Sequence, residues 1–220
     1  MISPDQTLGS IATEHPESTA VFLRHRLDFC CGGGRKLDEA CAKAGLDVDA
    51  LIAEIDGATR PDELQQWDKR PLTELADFIV TRYHEPLRRD LPALIDAAKR
   101  VERVHGQKPS CPKGLAVHLE FVAAELEEHM GKEERVLFPA IRTGYRGQQV
   151  HMPIRVMLAE HDDHGANLAR TRALATDFVP PPEACSTWRA LYVALENLEM
   201  ELMQHIHLEN NVLFPRALGQ

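Results

Sequence analysis

No part of the 220 residues is an uninterrupted apolar run long enough to span a bilayer. The start, Met1-Ile2-Ser3-Pro4-Asp5, has neither a basic region nor an apolar h-region. A soluble, cytoplasmic chain with no membrane partner is the expectation. Positive charge is short: 25 Lys and Arg face 34 Asp and Glu, for a formal net charge of -9. A phosphate backbone is repelled on average, so no nucleic acid partner is expected. Strand-like alternation is missing throughout, which predicts an all-α fold. The five cysteines are odd in number and follow no secretory signal, so a disulfide framework is not expected and the thiols read as reduced. With 44% hydrophobic residues the chain can still bury a substantial core, in one large or two modest domains.

The pattern His-x3-Glu-x3-Leu-Phe-Pro occurs twice. It runs first through His129, Glu133, Leu137, Phe138 and Pro139, then through His205, Glu209, Leu213, Phe214 and Pro215. The copies are 76 residues apart, and the same offset relates Glu125 to Glu201. An offset of 77 relates His84 to His161. Each half therefore reads as a helix bearing one His, a connection, and a helix bearing His-x3-Glu. Such self-similarity predicts duplicated helical hairpins facing each other in a four-helix bundle.

The spacing carries chemistry. Residues four apart on a helix stand on one face, so an imidazole and a carboxylate converge on one point. Ligands pointing inward from four helices meet at the core, as in carboxylate-bridged two-metal sites. The set is His84, His129, Glu133, His161, His205 and Glu209. Four imidazoles with two carboxylates able to bridge suit a pair of irons. Zinc, which usually takes four ligands per ion, fits less well. Ordinary core histidines on amphipathic helices are the plain alternative, but buried glutamates beside Leu-Phe need a partner.

The first sixty residues read as four short helices. Thr7 caps the first, Pro16 opens the second, Gly45 stops the third and Asp47 caps the fourth. Their core is thin, so this small domain, residues 1–58, should lean on the rest of the chain. Residues 59–70 read as a linker, and 71–220 as the bundle. Pro86 and Pro92 predict a kink or break just after His84. Cys41 and Cys185 read as ordinary small thiols, and Cys111 falls in a loop. Cys30-Cys31, followed by Gly32-Gly33-Gly34, is unusual: adjacent cysteines rarely pair with each other. They are expected at the exposed end of the preceding helix, presenting thiols to something else.

Together these residues resemble one family over essentially the whole chain. Asp28-Phe29-Cys30-Cys31-Gly32-Gly33, Arg82-Tyr83-His84 and Glu209-Asn210-Asn211-Val212-Leu213-Phe214-Pro215 are similar to the YtfE/ScdA iron-sulfur cluster repair proteins. The resemblance implies a hemerythrin-like four-helix bundle behind a small cysteine-bearing helical domain. It implies two non-haem iron ions, bridged by carboxylates and an oxo or hydroxo group, on the six ligands named above. Glu125 and Glu160 fall on acidic positions near the iron entrance, and Cys30 and Cys31 on the family's cysteine pair. The implied function is repair of iron-sulfur clusters damaged by oxidative or nitrosative stress, by supplying iron to damaged iron-sulfur proteins. The alternatives are a di-iron nitric oxide reductase and a hemerythrin-like sensor of oxygen or nitric oxide, in a monomer or homodimer. The cysteines are expected to serve as a docking point or intermediate iron acceptor. Glu201 is expected in the outer shell, and His105 and His164, which lack repeat partners, outside the ligand set.

Overall fold

The computed structural model describes residues 1–59, 67–144 and 148–219. Most of the predicted linker, residues 60–66, lies outside the described residues. Among the described residues the regular elements are helices, with one isolated bridge between Thr7 and Lys36. Four short helices come first: α1 (Leu8–Glu14), α2 (Ser18–Arg24), α3 (Leu37–Ala44) and α4 (Val48–Asp56). Three of the four start and stop signals act as their chemistry requires, whereas Pro16 lies in the turn before Glu17 and α2 opens at Ser18. Thr7 accepts from the Ser10 N–H and Asp47 from the Ala50 N–H, while Gly45 ends α3 at φ 70°. Then follow α5 (Leu72–Ile79), α6 (Glu85–His105), α7 (Leu115–Lys132), α8 (Phe138–Arg142), α9 (Gln148–Leu174), α10 (Ser186–Leu208) and α11 (Phe214–Leu218).

Three π-turns join these helices: Val80–His84, Glu133–Leu137 and Glu209–Leu213. In each, the backbone N–H of the next residue reaches back five positions, from Glu85 to Val80, Phe138 to Glu133 and Phe214 to Glu209. A proline follows one residue later every time: Pro86, Pro139 and Pro215. A proline ring collides with the carbonyl four residues back and offers no N–H, and widening the preceding turn relieves both faults. The break predicted after His84 is thus a wide turn in a continuing helix. The same device recurs at both His-x3-Glu motifs.

Two compact units are assembled from non-contiguous segments. The first comprises Met1–Ala76, Ala140–Ile154 and Met203–Gln220. Its N-terminal core contains Leu8, Ile11, Phe22, Phe29, Leu37 and Ile55, with Met203 packed against it. Helix α1 packs on the π-turn Glu209–Leu213, and Arg216 donates to the carbonyls of Trp67 (2.7 Å) and Arg70 (2.8 Å). The thin core is therefore completed by the last helical segment of the chain.

The second unit comprises Asp77–Pro139 and Arg155–Leu202. Its ion pairs and hydrogen bonds set the helix directions. Arg88 meets Glu127 and Lys99 meets Glu120, so α6 and α7 are antiparallel. His118 meets Asn167 and Thr171 while His129 meets Glu160, so α7 and α9 are antiparallel. His105 meets Cys185 while Arg82 meets Glu201, which opposes α6 to α10. Arg172 on α9 pairs with Glu199 on α10. The result is an up-down four-helix bundle. Leu91, Leu119, Leu126, Leu168, Leu195 and Leu202 line its interior.

His118 is buried at 3% exposure, with Nε2 3.0 Å from the Asn167 carbonyl and 3.1 Å from Thr171 Oγ1. Burial holds its imidazole below the ordinary value of about 6.5. The unfolded chain then takes up a proton below pH ~6.5 that the folded chain refuses. The stability tied to this group is complete above that pH and falls as the solution is acidified. A urea series at pH 7 and pH 5 should show a smaller acid loss for His118→Gln than for the parent. Equal losses would remove His118 as a contributor.

Candidate metal centre

Within the second unit, four of the predicted ligands come together in the bundle interior. His84 ends the first π-turn, His129 sits in the last turn of α7, Glu133 opens the next π-turn and His161 lies on α9. Their exposures are 0%, 2%, 0% and 0%. Oε2 of Glu133 stands 3.4 Å from His84 Nε2 and 3.5 Å from His129 Nε2. His161 Nε2 is 3.1 Å from His129 Nε2. One carboxylate therefore lies between imidazoles from two helices, with a third imidazole beside it.

The outward nitrogens of two rings are held by carboxylates. His84 Nδ1 is 2.7 Å from Glu134 Oε1, and His129 Nδ1 is 2.8 Å from Glu160 Oε2. A cation backs each carboxylate: Arg88 donates to Glu134 at 2.8 Å and Lys132 to Glu160 at 2.6 Å. Partial burial works against the charge of Glu134, but hydrogen bonds from Arg88 and His84 outweigh it and hold its carboxyl below the usual range. Hydrogen bonds to Glu128 and Glu160 raise the Lys132 ammonium, which keeps that end charged. Carboxylate–histidine pairs of this kind fix ring orientation and tautomer at metal sites.

The other candidates are placed as follows. Glu160 orients His129. Glu125 lies half-buried one turn before His129 and is not among the groups whose ligand atoms cluster. Glu201 takes a bidentate pair from Arg82 at 2.5 and 3.0 Å. His105 meets Cys185 Sγ at 3.2 Å and lies tilted against Trp188, with ring centroids 5.1 Å apart. His164 is buried edge-on against His129, with ring centroids 4.7 Å apart.

Within the first unit, His205 Nε2 and Glu209 Oε1 are 3.0 Å apart at 1% and 0% exposure. Helical spacing brings this i, i+4 pair together. The next two residues point elsewhere: the side-chain amides of Asn210 and Asn211 donate to the carbonyls of Cys30 and Phe29, each at 3.2 Å. Cys30 and Cys31 lie in the loop between α2 and α3, six or more residues past the end of α2. Cys30 is buried at 5% exposure and Cys31 partly so, which corrects the expectation of an exposed helix end. The hydrogen bond with Cys31, burial and the Asp28 charge hold the Cys30 thiol well above its usual range.

Glu134, Arg88, Asn210 and Asn211 were not singled out by sequence reasoning. Only Glu134 carried a signal, since the carboxylate next to Glu133 is turned by about 100° to the neighbouring helix. Glu134→Gln should keep the fold and weaken metal binding by roughly 10–100-fold, as loss of an outer-shell partner does. Competition with a chelator measures this; an unchanged affinity would reduce Glu134 to a surface ion pair.

The Hemerythrin HHE cation binding domain model matches residues 75–217. ScdA_N, described as a domain of unknown function, matches residues 4–59. Two relatives carry the name iron-sulfur cluster repair protein YtfE. One is from Yersinia pseudotuberculosis serotype IB (strain PB1/+) and the other from Yersinia pestis (strain Pestoides F). Each is 49% identical over 215 residues, 97% of this chain and 97% of the relative.

Proposed function

The chain belongs to the YtfE family of iron-sulfur cluster repair proteins, with a hemerythrin HHE domain behind an ScdA_N domain, and on that premise we propose that it restores damaged iron-sulfur clusters by releasing iron from a two-iron site. The proposed ligands are His84, His129, Glu133 and His161 of the second unit with His205 and Glu209 of the first.

The observation that carries this reading is the position of Glu133 between His84 and His129. Glu134 and Glu160, being carboxylates, accept the Nδ1 protons of His84 and His129 and turn each Nε2 lone pair toward Glu133 Oε2. A metal cation placed there would draw the Nε2 atoms and the buried carboxylate oxygen to one point. The donor set is one carboxylate to three imidazoles, which iron accepts, and the further pair His205 and Glu209 would extend it to the six donors of a two-iron site. Two considerations support adding His205 and Glu209. The motif duplicates His129 and Glu133, and Leu198, Leu202, His205 and Glu209 recur at intervals of four, three and four residues. The buried stripe of α10 thus continues into the two ligands.

Bound irons would supply exchangeable metal with open coordination positions. The chain's part is to orient two of the imidazoles from outside and keep the surroundings apolar. Cys30 and Cys31 are proposed as the point where client proteins meet this one. The relatives carry a repair name, and the alternatives of nitric oxide reduction and gas sensing have no observation of their own. No helix among the described residues is long and apolar enough to cross a membrane.

Elemental analysis of protein purified without chelators should find about two irons per chain. Anaerobic incubation with a damaged iron-sulfur protein should then restore the client's cluster while the donor loses iron. Zinc alone, no metal after iron reconstitution, or restoration without iron loss would overturn the reading.

A further inference from the structure

We propose that Asp28, Cys30 and Cys31 form a second, mononuclear metal site in the loop between α2 and α3, taking Fe(II) on its way to a client. The identity of the ion rests on the repair reading; the site itself rests on its own geometry.

One ligand atom from each of the three residues lies within 4.8 Å of the other two. Cys30 Sγ is 3.7 Å from Cys31 Sγ and 3.3 Å from Asp28 Oδ1. Two thiolates bound about 2.3 Å from a tetrahedral ion stand roughly 3.8 Å apart, and a thiolate and a carboxylate oxygen roughly 3.6 Å. The pair is thus already spread to the span of a metal's edge, far beyond the ~2.05 Å of a disulfide. Binding takes Fe(II), two thiols and one carboxylate to a complex of net charge -1. The two thiol protons go to solvent, so no oxidant or reductant is involved.

The surroundings hold that shape before an ion arrives. Asp28 Oδ1 accepts the N–H groups of Cys30 (3.2 Å) and Cys31 (3.0 Å), which fixes the carboxylate beside the sulfurs. Asn210 holds the Cys30 carbonyl and Asn211 the Phe29 carbonyl. Gly33 is required here: a Cβ would stand 2.7 Å from the Phe29 carbonyl and 2.8 Å from Asn211 Oδ1. At Gly9, whose N–H donates to the Gly33 carbonyl at 2.8 Å, a Cβ would overlap Asn211 Oδ1. The loop is therefore braced from both sides, and one brace is the π-turn that Glu209 opens.

Three donors leave a tetrahedral ion one position short, the arrangement of sites that exchange a ligand rather than structural ones, which are closed by four. Asp28 is exposed and Cys31 partly so, while Cys30 is buried, so an incoming ligand would approach a bound ion from the side of Asp28 and Cys31. A thiolate of an incoming apoprotein fits there, and ligand exchange from two thiolates to the client's own completes a transfer.

Cobalt(II) serves as the probe, because thiolate coordination gives it a near-ultraviolet charge-transfer band. Protein brought to about two irons per chain and titrated anaerobically with Co(II) should develop this band to one further equivalent per chain. Cys30→Ser with Cys31→Ser should abolish it. The same variant's iron content reports on the two-iron site separately, so failure of that reading is distinguishable from failure of this one. Asp28→Asn keeps an acceptor for the Cys30 and Cys31 N–H groups. It should raise the dissociation constant by at least the roughly 10–100-fold that loss of an outer-shell partner costs. No band in the parent, a band that survives the double serine variant, or equal affinity in Asp28→Asn would overturn the proposal.

Discussion

Glu133→Ala is expected to bring bound iron from about two ions per chain to fewer than one. The magnitude follows from the position of one oxygen. Oε2 of Glu133 is 3.4 Å from His84 Nε2 and 3.5 Å from His129 Nε2, so its removal takes a donor from both neighbourhoods at once. No other carboxylate in the second unit is placed to substitute, because Glu134 and Glu160 face the outward nitrogens of the same rings. Stability should move in the opposite sense. A carboxylate buried at 0% exposure among imidazoles is costly without a cation, so metal-free Glu133→Ala should melt no lower than the metal-free parent. With metal the order reverses, because an ion at 1,000 times its dissociation constant stabilises the folded state by about 4 kcal/mol. Elemental analysis and thermal scans with and without iron test both parts. Two irons retained in the variant would remove Glu133 from the ligand set.

Phe29→Ala should destabilise the N-terminal core by about 3–5 kcal/mol. The ring is fully buried, 5.9 Å from Phe22 and edge-on to His207 at 5.6 Å between centroids. Its removal leaves a cavity beneath the residue preceding Cys30. The Phe29 carbonyl also accepts the Asn211 amide, so the cavity loosens the brace as well as the core. Two readouts should move together: a lower urea midpoint and faster alkylation of Cys30, the buried thiol. Alkylation of Cys31, already partly exposed, should change less. A lower midpoint with an unchanged ratio of the two alkylation rates would mean that the loop keeps its shape without the ring.

The parts legible from the sequence are those that depend on short spacing. Four-residue intervals determine which side chains share a helix face, so the pairs His129–Glu133 and His205–Glu209 could be named from the chain alone. Caps and stops at Thr7, Gly45 and Asp47 were legible for the same reason, since each acts within one turn. Proline chemistry was only half legible. Pro86 announced a disturbance after His84, but a break and a π-turn begin from the same missing N–H. The recurrence of the wide turn before Pro139 and Pro215 emerged only in the folded helices.

The sequence by itself determined the all-helical class, the duplicated His and Glu motif, and the presence of an unusual cysteine pair, because these follow from composition and local period. Tertiary structure alone decided what stands behind them. Glu134 reaches His84 across 50 residues and Glu160 reaches His129 across 31. Asn210 holds the Cys30 carbonyl across 180. Neither the helical period nor the repeat relates these partners to one another; packing brings them within a hydrogen bond, and packing sets the orientation of each imidazole and the burial of Cys30.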